Sequence, residues 1–213
     1  LLSIVVIFMT GCSVTKLDDT NISKNMKVLL SKKVNLYNVF YDGYKYYLPK
    51  GVSFVKKEDY NALLKDRNNN KYYLYVDAIS YYHKVKNEYE ISKDSHYSKK
   101  LNYNKKNGYI QIDEVDDNYF VQFVFNYVKI ESYVNKDDLT DVINNMCYIL
   151  RSVKFNDAVL ESLIGDNILD YKEEDYTLFK ADSSKESFLD VVGREETDRY
   201  KKDLEDEKID LDY

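Results

Sequence analysis

The sequence predicts an α+β domain in which an antiparallel β-sheet packs against N-terminal and C-terminal helices. Three observations carry that prediction. From Val34 to Val134 the chain is rich in Tyr, Val and Phe, in short runs broken by Asp, Asn, Gly and Pro, which is the composition of strands and turns. Apolar residues recur at helical spacing on either side of this region. No internal repeat or Pro/Gly-rich linker divides the body, so one layered domain is the simplest architecture.

Leu1–Cys12 reads LLSIVVIFMTGC, an apolar run that stops at a small residue and a cysteine. Met9-Thr10-Gly11-Cys12 resembles the bacterial lipobox: Gly11 fits it well, while Met9 and Thr10 stand where Leu and Ala or Ser are commoner. The resemblance implies that residues 1–11 are a signal peptide, incomplete at its start, and that cleavage leaves Cys12 as a diacylglyceryl-modified N-terminus. The chain is then a lipoprotein of the Gram-positive type, held at the extracytoplasmic face of the cell membrane. Two acyl chains anchor stably where one does not. The run is too short for a transmembrane span, which needs about 20 apolar residues. Residues 12–20 form a polar tether, 21–193 the folded domain, and 194–213 an acidic tail too poor in apolar residues to offset its ordering entropy.

Within Asn21–Lys33, Ile22, Met26, Leu29 and Leu30 fall on one face of a helix. Tyr41-Asp42-Gly43 precedes a strand at Tyr44–Leu48, and Leu48-Pro49-Lys50-Gly51 suits a type I turn. Element order and the Tyr-x-Tyr-Tyr-Leu-Pro-Lys-Gly run at Tyr44–Gly51 resemble the PsbP-like fold. Tyr60–Lys65 reads either as a short helix or as a strand that hairpins through Asn68-Asn69-Asn70. Lys71–His83 predicts a central strand with Tyr72, Leu74, Val76 and Ala78 on one side, and Tyr73, Tyr75, Asp77, Ile79 and Tyr81 on the other. Lys84–Asn107 reads as a long loop or irregular edge. Gly108–Val115 and Tyr119–Val134 form a hairpin joined at Asp116-Asp117-Asn118, and the length of the second arm calls for a bend or bulge. Asn135 suits an N-cap for a helix whose stripe is Leu139, Val142, Ile143, Met146, Leu150 and Val153, with Cys147 beside it. A shorter helix runs from Asn156 or Asp157 to Ile164 and stops at Gly165, and Ser184–Val192 forms a further capped segment.

The 23 tyrosines, one proline and abundant Asn and Lys match the codon usage of an AT-rich genome, so placement, not number, carries information about tyrosine. With Cys12 lipidated, Cys147 has no partner for a disulfide. A net charge of −6 gives no general electrostatic reason to bind nucleic acid or anionic lipid, so membrane association is expected from the lipid on Cys12 alone. His83 and His96, near Asp94 and Ser95, lack the spacing of a zinc site or a nucleophile elbow. Asp113, Glu114, Asp116, Asp117 and Asn118 concentrate oxygen ligands without the EF-hand pattern, and Lys99–Lys106 reads as a solvated loop. No cofactor, metal ion or catalytic residue is expected.

Asp77, Asn126 and Glu131 are polar residues within predicted strands, where burial requires pairing. They are expected to bond to tyrosine hydroxyls or backbone groups and fix register. Asp77 with Tyr73, Tyr75 and Tyr81 forms the sharper candidate, a pocket on one strand face. The functional expectation is a lipid-anchored domain that binds a protein or cell-envelope partner at the membrane surface. The alternative is an envelope hydrolase or small-ligand-binding lipoprotein.

Overall fold

The computed structural model describes residues 19–86 and 88–165. The lipobox, residues 13–18 of the tether, Ser184–Val192, the 193 boundary and the acidic tail lie outside the described residues. The first helix, α1 (Asp19–Ser31), leads into a small hairpin of β1 (Val39–Tyr41) and β2 (Tyr44–Tyr46). Three strands follow: β3 (Ser53–Lys57), β4 (Asn61–Lys65) and β5 (Lys71–Val76). A short helix, α2 (Ala78–Tyr82), precedes β6 (Tyr97–Tyr103), β7 (Lys106–Val115), β8 (Asn118–Phe125) and β9 (Val128–Asn135). The described part closes with α3 (Leu139–Ser152), β10 (Lys154–Phe155) and α4 (Asp157–Gly165).

Seven strands form one antiparallel sheet in the order β3-β4-β5-β9-β8-β7-β6, and β1-β2-β10 forms a second, smaller one. The α+β class with helices packed on the sheet is borne out. Alternation along β5 and β8 is strict: Tyr72, Leu74, Val76, Val121, Phe123 and Phe125 are buried while their neighbours are half-buried. The buried set faces the helices. Tyr72, at the β5 end of that face, takes a hydrogen bond from Asn145 of α3 at 3.1 Å, and Lys99 of β6 donates to Ser23 of α1 at 2.6 Å. The α3 stripe, Leu139, Val142, Ile143, Met146 and Leu150, is fully withdrawn from water, and so is Cys147. Burial of each such aliphatic side chain stabilises the fold by roughly 1.5–3 kcal/mol.

Tyrosine serves the core as well. Tyr41 stacks on Tyr44 at 4.8 Å, and Tyr44 lies parallel to Tyr46 at 6.3 Å within the small sheet. The Tyr44 hydroxyl donates to the carbonyl of Asp59. Burial in this stack pushes the Tyr44 and Tyr46 phenols far up from their ordinary value.

Four local expectations are corrected. Lys71–His83 is a strand only as far as Val76; Asp77 then caps α2, its carboxylate accepting from the Ser80 amide at 2.8 Å. Lys84–Asn107 contains an edge strand, β6, paired along its whole length with β7. Tyr119–Val134 is two strands rather than one bent arm, with Asn126 (φ 55°) and Tyr127 (φ 63°) forming a tight turn between them. Two successive left-handed residues give the type I′ geometry, whose twist matches the flanking strands. Asn135 closes β9 and accepts from the Asp138 amide at 2.9 Å, while Asp138 holds the N-cap position of α3. Tyr60–Lys65 is settled as strand, with its return turn held by Asp66, which accepts from the Asn68 and Asn70 amides.

Candidate functional site

The sheet face opposite α1 and α3 carries a polar row. Cross-strand partners share a face, and the register sets Tyr73 opposite Glu131, Glu131 opposite Gln122, Gln122 opposite Gln111, and Gln111 opposite Ser98. Five strands thus contribute one residue each. In the adjoining row Tyr75, Lys129, Val124, Tyr109 and Lys100 are paired in the same way. The result is a hydrogen-bonding band flanked by tyrosine rings on a face that carries none of the helix contacts described above.

The band is internally connected. Glu131 accepts from Gln122 Nε2 at 2.9 Å and pairs with Lys129 Nζ at 3.1 Å. Gln122 Oε1 accepts from the Tyr109 hydroxyl at 2.9 Å. Gln111 donates to Asp113 at 2.8 Å and accepts from the Tyr89 hydroxyl at 3.0 Å. Tyr89, from the segment after α2, lies flat on Tyr109 with ring centroids 3.7 Å apart and 2° between planes. Its hydroxyl also meets Ser98 Oγ at 2.6 Å.

The Lys129 and Glu131 side chains are only 13% and 5% exposed. Burial pulls the Lys129 ammonium below its ordinary value, partly offset by the adjacent carboxylate. Burial also pushes the Tyr109 phenol up to about 12, with the Tyr89 phenol and the Glu131 charge acting in the same direction. Amide groups, a carboxylate and an ammonium held between flat rings can recognise hydroxyl-rich or amide-rich ligands. Nothing in this row arranges a nucleophile against a base.

The predicted pocket of Asp77, Tyr73, Tyr75 and Tyr81 is only half assembled. Tyr73 and Tyr75 do share the outer face, beside Glu131 and Lys129. Asp77 is withdrawn to cap α2. Tyr81, on that helix, stacks on Phe155 at 3.9 Å and donates to Asp157 at 2.7 Å, placing it with β10 and α4. Asn126 sits in the turn, where its amide nitrogen reaches the Val153 carbonyl at 3.4 Å. Glu131 is buried and paired as expected, with side-chain partners where a tyrosine or the backbone was predicted.

The other candidates separate. His83 closes α2, whereas His96 lies 3.6 Å from Glu114. Asp113 turns to Gln111 and Glu114 to His96, so strand alternation splits the acidic turn. Among the described residues no group of three or more metal-ligating side chains gathers, and no helix is long and apolar enough to cross a membrane.

Gln111, Gln122, Tyr109 and Lys129 were not anticipated from sequence. The signal that finds them is the turn at Asn126-Tyr127: once those residues are the loop, Gln122 falls opposite Glu131 and the row follows. No family model matches the chain, and neither does any curated protein.

Proposed function

We propose that the chain is a lipid-anchored domain at the extracytoplasmic face of the cell membrane that binds a cell-envelope glycan through the outer face of its seven-stranded sheet, beside the part that Tyr89 covers. The observation that carries the reading is the polar row from Tyr73 to Ser98, bounded by Tyr75 at one end and by the stacked Tyr89–Tyr109 pair at the other. Sugars present flat apolar faces that stack on aromatic rings and edge hydroxyls that pair with amides and carboxylates. A rigid sheet holds such groups at fixed spacing, which lowers the ordering cost of binding.

The lipobox resemblance at Met9–Cys12 supports the location. Residues 13–18 alone separate Cys12 from α1. Even fully extended, that length keeps the domain within about 25 Å of an anchoring bilayer. Co-sedimentation of the detergent-solubilised full chain with purified cell-wall glycan tests the reading. The wild type is expected to sediment with the glycan, and Tyr73→Ala or Tyr75→Ala to weaken binding about tenfold with unchanged circular dichroism. Binding that is absent, or indifferent to both substitutions, overturns it.

A further inference from the structure

We propose that the cleft at the C-terminal ends of α1 and α3 is a binding site for a phosphate-bearing small molecule. The cleft holds about 460 Å³ and lies away from the polar row, between the chain leaving α1, the Asn104 and Asn126 turns and the start of α4. Lys32, Lys33, Lys106, Arg151 and Lys154 line it, against the single carboxylate of Asp157. That balance stands out in a chain of net charge −6. The Asp157 carboxylate is already engaged by the Tyr81 hydroxyl at 2.7 Å. Lys32, Lys33 and Lys154 make no ion pair among the described residues.

Two of the cations are fixed in place by the fold. Lys106 Nζ donates to the carbonyls of Arg151 and Val153, each at 3.3 Å. An ammonium has three N–H groups, so one remains for a ligand. Arg151 donates from Nη1 to the Leu29 carbonyl at 2.9 Å, and its guanidinium lies 4.7 Å from the centre of the Tyr148 ring. Its Nε is buried away from solvent, so contact with a ligand falls to the guanidinium N–H groups that the Leu29 bond does not use. The three exposed lysines add mobile charge at the rim. A fixed Arg with Lys neighbours is the donor chemistry that phosphate oxygens recruit.

The volume exceeds what inorganic phosphate needs and falls within the roughly 300–1,000 Å³ of small-molecule sites. Tyr37, Tyr81 and Phe155 supply apolar wall for the organic part. The phosphate can come from a soluble polyol phosphate or from a lipid headgroup. Calorimetry of the detergent-solubilised full chain with glycerol 3-phosphate, and flotation with phosphatidylglycerol against phosphatidylcholine vesicles, separate the two. The Lys33→Glu/Lys154→Glu double variant changes only exposed side chains and is expected to keep the wild-type melting temperature.

Salt-sensitive glycerol 3-phosphate binding that falls at least tenfold in the double variant supports the site with a soluble ligand. A phosphatidylglycerol preference that the double variant abolishes, without glycerol 3-phosphate binding, supports it with a headgroup. Absence of both, or binding that survives the double charge reversal, overturns it. Neither result bears on glycan binding by the sheet face, because Tyr73 and Tyr75 do not line this cleft.

Discussion

Glu131 is the residue on which the polar row turns. It is held by Gln122 and Lys129 on a face that also buries most of its side chain. Removing one member of a buried pair leaves the other charge in a site that water reaches poorly, at a cost of about 3–5 kcal/mol. Glu131→Ala is therefore expected to lower unfolding free energy by about 3 kcal/mol in urea titration, and Glu131→Gln by less, since an amide oxygen can still accept from Gln122. A loss below about 1 kcal/mol for the alanine variant would mean that the pair behaves as a solvated surface bridge.

At the scale of the element, the hairpins decide the site. The β6–β7 turn places Asn104 (φ 53°) and Lys105 (φ 64°) in the left-handed region. Glycine relieves that strain at little cost, and Asn-Gly is the favoured pair for this geometry. Lys105→Gly is expected to stabilise the chain by roughly 0.5–1 kcal/mol in denaturant titration; destabilisation would contradict the turn assignment. The same chemistry explains what the sequence hid. The α1 and α3 stripes were legible because helical periodicity survives any choice of neighbours, and the Asp116-Asp117 turn because its residues favour turns. Asn126-Tyr127 was not, because an aromatic at positive φ carries no turn signal and Tyr127 continues the apolar pattern on either side. Missing that turn concealed the register between Gln122 and Glu131. Asp77 was misplaced for a related reason: strand alternation continues through it, while its capping role depends on where β5 ends.

For the whole molecule, tyrosine burial makes stability depend on alkaline pH. The Tyr81 and Tyr109 phenols are pushed up to about 12, and those of Tyr44, Tyr46 and Tyr72 further still. The unfolded phenol titrates near 10. Between the two values the unfolded chain has lost protons that the folded chain retains, so stability present below about pH 10 is lost as pH rises toward the folded values. Lys106 and Lys129, whose ammonium groups burial pulls down, act in the opposite sense but are fewer. Unfolding midpoints are expected to fall above about pH 10, with the tyrosinate absorbance of the buried rings appearing together with unfolding. Titration of those rings in a chain that stays folded would contradict their burial.

Location and recognition meet in the claim that this sheet is presented at a membrane by Cys12. A soluble domain would meet its ligand by diffusion, whereas an anchored one samples only the adjacent envelope at high effective concentration. Mass spectrometry of the N-terminal peptide of the native protein tests this most directly. A mature chain beginning at Cys12 with diacylglyceryl on its sulfur, and a Cys12→Ala chain left uncleaved and unlipidated, is the predicted result. A native chain with Cys12 unmodified and residues 1–11 still attached would contradict it.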